Sequence, residues 1–155
     1  MTTDAPSVLL VEDERDDEEL TIRELRRANL PNRVDVAHDG QEAIDYLFGT
    51  EEEAPMPVPS VVLLDLKLPR VSGLDVLKRI RAEARTRRMP VVILSSSTEE
   101  RDLIDGYDLG ANSYVRKPID FDAFASAIAQ IGAYWLTINE PAPLAEDATD
   151  GENAA

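Results

Sequence analysis

With 31 acidic against 16 basic side chains on 155 residues, the formal charge of −15 sets the whole surface against nucleic-acid backbones and anionic membranes. A 43% hydrophobic share suits one buried core, no apolar run nears the roughly 20 residues of a bilayer span, and the opening "MTTDAPSVLLVED" lacks the basic start of a secretory leader. The chain therefore reads as cytoplasmic, with neither nucleic acid nor membrane as partner, and the absence of cysteine leaves only oxygen or histidine ligands for any metal. Thirteen arginines against three lysines (Lys67, Lys78 and Lys117), on so acidic a chain, fit a salt-rich cytoplasm.

"SVLLV" (7–11) is a short apolar run closed by acids and predicts a strand buried on both faces. "DDEELTIRELRRANL" follows with Leu20, Ile22, Leu25 and Ala28 near helical spacing, acids in its first turn and arginines in its last, as the helix dipole favours. "RVDVA" (33–37) alternates like an edge strand, and "QEAIDYLFG" places Ala43, Ile44, Leu47 and Phe48 on one helical face ending at Gly49. The proline- and glutamate-rich stretch 50–60 predicts a solvated loop. "VVLLD" (61–65) is a third strand and "SGLDVLKRIRAEA" a third helix, with Leu74, Leu77 and Ile80 inward. "MPVVILS" (89–95) is a fourth strand, and the helix after it takes Thr98 as its N-cap. "NSYVRKP" gives a shorter fifth strand, and "DFDAFASAIAQIGAYWL" a last helix with Phe121, Phe124, Ala125, Ile128, Ile131 and Trp135 along its inner stripe. Residues 1–6 are expected to be flexible, 7–138 to form one domain, and 139–155 to be a disordered acidic tail.

Five strand–helix alternations predict an α/β protein: a single doubly wound (βα)5 domain of flavodoxin-like type, its five parallel strands covered on both faces. The weakly apolar second strand belongs at an edge, which suits the order 2-1-3-4-5. In such a sheet ligands bind outside the carboxyl ends of the strands, where the strand order reverses. Strand 1 ends at Glu12 and Asp13 and strand 3 at Asp65, so three carboxylates are expected in one crevice. A cluster of like charges is tolerable where protons are held or a hard cation is bound, and Mg2+, or Mn2+ in its place, suits a site of few acids that keeps room for water and a phosphoryl oxygen. Strand 4 ends at Ser95 and strand 5 at Lys117, which brings a hydroxyl and an ammonium to the same rim. The rim thus offers a nucleophile, Asp65, a metal to neutralise phosphoryl charge, and Ser95 and Lys117 to hold the remaining oxygens. Taken singly, each of these residues is as well explained by a cap or a strand end; together they stand at four strand ends of one sheet.

"LLVEDE", "LLDLKLPRVSG", "VVILSS" and "YVRKP", in this order and with these separations, resemble the receiver domain of two-component response regulators over residues 7 to about 138. The resemblance implies that Asp65 accepts a phosphoryl group from a histidine kinase or a phosphotransfer protein, with Glu12, Asp13, Asp65 and the backbone carbonyl of Lys67 holding the metal. It implies Lys117 on the phosphoryl oxygens across a cis bond to Pro118. It further implies a switch in which the Ser95 hydroxyl follows the phosphoryl group and Tyr114 turns inward, altering the face of helix 4, strand 5 and helix 5 for a downstream protein target. No substrate is turned over beyond the protein's own phosphorylation and dephosphorylation.

The insertion at 50–60, Lys67 and the "AYWL" end of the last helix are most similar to the small regulators paired with phytochrome-type kinases, which implies a homodimer through the C-terminal region. Lys67 and Ser97 depart from the chemotaxis-type pattern, so the lifetime of the phosphoryl group stays open. Three rivals fit less well. A haloacid-dehalogenase-like phosphatase needs an acid where Lys67 stands; a flavodoxin needs hydroxyls where "EDERDDEE" stands; a degenerate receiver used only for binding would lack residues that are present here. The lone His38, in the turn "AHDG", reads as a surface residue.

Overall fold

The computed structural model describes residues 7–27 and 33–143. Five strands, β1 (Ser7–Val11), β2 (Arg33–Ala37), β3 (Val61–Leu64), β4 (Val91–Ser95) and β5 (Ser113–Arg116), alternate with five helices, α1 (Arg15–Arg27), α2 (Gly40–Phe48), α3 (Gly73–Ala82), α4 (Glu100–Asp108) and α5 (Phe121–Ala133). All strand pairs are parallel and the order is β2-β1-β3-β4-β5, as the sequence predicts. The expected flexible start, Ala28 of the first helix and the tail beyond Pro143 lie outside the described residues.

Successive side chains of a strand point to opposite faces, and the three central strands, apolar at nearly every position, supply two cores at once. Leu9, Val11, Val62, Leu64 and Ile93 pack with Leu47, Leu77 and Ile80 on one face. Val8, Leu10, Leu63, Val92 and Leu94 pack with Leu20, Leu25, Phe124 and Ile128 on the other. β2, half-buried along most of its length, is the edge that its weaker hydrophobic pattern foretells.

Side chains fix most helix starts. Asp39 accepts from the Glu42 amide at 2.8 Å, Ser72 from Asp75 at 3.2 Å and Asp120 from Ala123 at 2.9 Å, each satisfying an otherwise orphaned donor. α4 differs from expectation: Thr98 is not its cap. The cap position falls at Glu99, which makes no side-chain capping bond, while Ser97 ahead of it accepts from the Glu99 amide at 3.2 Å and donates to Asp102 at 2.5 Å, so the helix begins later.

Two further departures lie at α5. Phe121, expected on the inner stripe, is 57% exposed because it stands at the helix's first residue, where its ring lies under the Arg23 guanidinium at 5.5 Å instead of over the sheet. The helix does not run regularly through Leu136 but widens into a π-helical turn at Tyr134–Ile138, in which Trp135 packs on the second core and meets Tyr134 edge to face at 5.0 Å.

The 50–60 stretch lacks strand or helix, as expected, yet it is tethered. Arg85 donates to the carbonyls of Leu47 and Met56 at 2.6 Å each, the Met56 amide donates to Tyr46 O at 3.0 Å, and the Ser60 amide donates to Ser7 O at 2.8 Å. Its exposed part is the run 50–55, with Pro57 exposed beyond it.

Gly73 shows how closely α3 approaches the end of β3. A Cβ there would stand 2.1 Å from the Asp65 carbonyl oxygen and 2.6 Å from Leu66 Cα, and the Gly73 amide donates to Leu66 O at 2.9 Å. Backbone cannot yield as a flexible side chain does. Gly73→Ala is therefore expected to destabilise by about 3 kcal/mol, an overpacking cost, and a urea midpoint equal to that of the wild type would contradict this close fit.

Candidate functional site

The ladder itself assembles the site. The Asp65 amide donates to Val11 O at 3.1 Å, which sets the residue after β3 beside the end of β1, and the Glu12 amide donates to Ala37 O at 3.0 Å. On the other flank the Lys117 amide donates to Ser95 O at 2.8 Å, pinning the exit of β5 to the end of β4. Four strand ends thus converge on one rim, as the parallel topology requires.

Carboxylate oxygens of Glu12, Asp13 and Asp65 lie within 4.8 Å of one another. Glu12 is 2% and Asp65 7% exposed, whereas Asp13 is open to solvent. Into this cluster reaches the Lys117 ammonium, its side chain 8% exposed, with Nζ at 2.7 Å from Glu12 Oε1, 3.0 Å from Asp17 Oδ2 and 3.5 Å from Asp65 Oδ2. The Glu14 amide donates to the second Glu12 oxygen at 3.0 Å, and the Lys67 amide to Asp65 Oδ1 at a long 3.4 Å.

Burial pushes the Glu12 carboxyl up to about 7, against the Lys117 hydrogen bond and charge that pull it down, with the Asp65 charge adding to the rise. Burial alone would depress the Lys117 ammonium, but the Glu12 hydrogen bond, the charges of Asp65 and Glu12 and the Asp17 hydrogen bond overcome it and hold its pKa above the usual lysine range. The two directions differ in cause: burial dominates at Glu12, whereas the surrounding carboxylates dominate at Lys117. The donor set suits a hard divalent cation, since it is all oxygen and carries surplus negative charge. The lone histidine is engaged elsewhere, with His38 Nε2 3.0 Å from Glu18 Oε1.

Ser95 is fully buried, its Oγ accepting from the Ser97 amide at 3.1 Å. Tyr114 is half-buried on β5, across from Ile93 in the register, its ring beside Gly106 of α4. Its hydroxyl is buried without a hydrogen-bond partner among the described residues. The side chain of Lys67 is exposed. The Lys117–Pro118 bond, expected cis, is trans, as is every peptide bond among the described residues; trans is the lower-energy isomer of an X–Pro bond by about 0.5–1 kcal/mol.

Asp17 is the one member of the constellation that the sequence reading passes over. The available signal is its spacing, four residues after Asp13 and in the first turn of α1, one helical turn along.

Sheet order and the parallel strand–helix alternation define a flavodoxin-like α/β protein, and residues 8–129 match the response regulator receiver domain family. The chain belongs to that family. It is 39% identical over 137 residues to the probable methanogenesis regulatory protein FilR2 of Methanothrix harundinacea, covering 88% of each chain. It is 33% identical over 136 residues to the response regulator Rcp1 of Synechocystis sp., covering 87% of this chain and 92% of Rcp1. The fold superposes on the crystal structure of Mn(2+)-bound Rcp1 with a TM-score of 0.84 at 30% identity, over 89% of this chain and 99% of that one. For the phosphorylated cyanobacterial phytochrome response regulator RcpA the TM-score is 0.85 at 33% identity, again over 89% and 99%. The likeness to small phytochrome-associated regulators read from the insertion and the helix end agrees with these matches.

Proposed function

We propose that the protein is a response regulator whose Asp65 takes a phosphoryl group from a histidine kinase or a phosphotransfer protein. The observation that carries this reading is the convergence of Lys117 with Glu12, Asp17 and Asp65 beside Asp13 at the carboxyl end of the sheet. An Asp65 carboxylate oxygen attacks phosphorus, the P–N bond of a phosphohistidine breaks, and the imidazole leaves with the bonding pair. Lys117, kept protonated by its carboxylate neighbours, supplies a fixed positive charge for the equatorial oxygens. Mg2+ or Mn2+, held by Glu12, Asp13, Asp65 and the Lys67 carbonyl, would neutralise the charge of the phosphoryl group. The Ser95 hydroxyl, now accepting from Ser97, is the group that turns toward the new anion and draws the β4–α4 loop with it.

Tyr114, its hydroxyl buried and unpartnered among the described residues, is the side chain whose packing that loop movement changes. The face altered is that of α4, β5 and α5, where Ile104 and Tyr107 stand exposed for a downstream protein. Exposed Ile119 and Phe121, just beyond Lys117, offer apolar surface to the phosphodonor. Exposed Tyr134 and Ile138 give the C-terminal region a surface for a homodimer. The net charge supports protein partners over nucleic acid, and we assign the protein to the cytoplasm, where kinases of this class deliver phosphate.

Incubation with acetyl phosphate and Mg2+ is expected to add the mass of one phosphoryl group to the intact chain. EDTA is expected to prevent it. A chain that gains no mass at millimolar donor would refute the reading.

A further inference from the structure

On the reading that Asp65 is the phosphoryl acceptor, we propose that Asp17 is a positioning residue for that reaction, fixing the Lys117 ammonium so that its remaining donor points at Asp65. An ammonium has three donors on a flexible four-carbon stem, and here three carboxylates take them. The two shorter contacts, 2.7 Å to Glu12 and 3.0 Å to Asp17, go to groups that receive no phosphoryl; the longest, 3.5 Å, goes to the group that does. Glu12 follows β1 and Asp17 stands on α1, so the nitrogen is held from two separate elements and cannot pivot about one bond. Asp17's own backbone is anchored, its carbonyl accepting from the fully buried Thr21 hydroxyl at 2.7 Å. When negative charge moves outward from the Asp65 carboxylate onto phosphoryl oxygens, the third donor can follow while the other two stay in place.

The plainer account makes Asp17 one of three acids that favour the positive end of α1. Asp16, exposed in the same turn, has that role without a bond to Lys117 and is the control. Intact chains of wild type, Asp17→Asn, Asp16→Asn, Lys117→Ala and Asp17→Asn/Lys117→Ala would be followed by mass spectrometry during phosphorylation by acetyl phosphate at saturating Mg2+. Misplacement of a reacting group costs up to about 100-fold, and exchanging the charged Asp17 anchor for a neutral amide that can also turn its NH2 toward Lys117 is expected to lower the saturating rate about tenfold. The half-saturating donor concentration should stay within about twofold, Asp16→Asn should match the wild type, and Asp17→Asn should change nothing further once Lys117 is gone. A readout without metal or donor completes the test. In chain labelled with 15N-lysine, which has three lysines, the solvent-protected Lys117 ammonium signal should broaden or vanish in Asp17→Asn and persist in Asp16→Asn. An unchanged rate and signal in Asp17→Asn, or an equal rate loss in the Lys117→Ala background, would overturn the positioning role while leaving Asp65 as acceptor. A wild type that takes up no phosphoryl group would instead fail the reading on which it rests.

Discussion

Asp65→Asn is expected to abolish phosphoryl uptake altogether and, without metal, to leave the fold at least as stable as the wild type. The amide oxygen that replaces the carboxylate is neutral and is a poor nucleophile toward phosphorus, and Glu12, the other buried carboxylate, is already committed to Lys117 at 2.7 Å. Stability should not fall because Asp65 contributes the longest of the three Lys117 contacts and adds to the repulsion that raises Glu12. Neutralising it relieves that repulsion, while Asn retains an oxygen for the Lys67 amide, now 3.4 Å away. Intact mass after acetyl phosphate treatment and thermal unfolding in EDTA measure the two parts separately. A variant that still gains one phosphoryl group would move the acceptor elsewhere; one that melts well below the wild type would make Asp65 a structural residue.

Stability of the metal-free protein is expected to fall as pH rises from about 4.5 to about 7, and saturating Mg2+ to reverse that trend. Glu12 titrates near 4.5 in an unfolded chain but at about 7 when folded, so between these values the folded state binds more protons. The stability slope with pH is then negative in this window, and the difference integrates to roughly 3 kcal/mol by pH 7. Lys117 does not oppose the trend, because it is protonated in both states throughout this range and its stabilising effect is constant there. Mg2+ takes the carboxylate form, so its binding expels the proton, and its affinity should drop about tenfold for each pH unit below about 7. Urea unfolding at several pH values, with and without Mg2+, reads both effects. Profiles that are flat from pH 5 to 8 would mean that Glu12 carries no such proton.

Much of the site is legible because it consists of residues that end strands. Once the weak apolar pattern of 33–37 puts that strand at the edge, the order of the sheet follows, and with it the meeting of Glu12, Asp13, Asp65, Ser95 and Lys117. Features that depend on side-chain reach are not legible in this way. The bond from Lys117 to Asp17 spans 100 residues of chain and depends on where α1 lies over the rim. Thr98 does not cap α4 because the local bonds go to its neighbour: Ser97 accepts from Glu99 while donating to Asp102, a choice made among neighbouring hydroxyls of like propensity, and the helix then starts after Glu99. Phe121 fits the helical period of the inner stripe, yet a stripe does not say how far the helix overhangs the sheet it covers.

The tether on the 50–60 stretch bears on how such a protein can diversify. Arg85 grips the carbonyls of Leu47 and Met56, backbone groups that any residue type supplies, and so this tether asks for no particular side chain in the exposed run 50–55 between them. The far end of the stretch, Ser60, leads into β3 at the opposite end of that strand from Asp65. Lengthening a loop adds only about 0.6 kcal/mol of closure entropy per doubling. That stretch is thus a natural splice point, where an engineer's reporter is expected to be accepted at little cost to the fold.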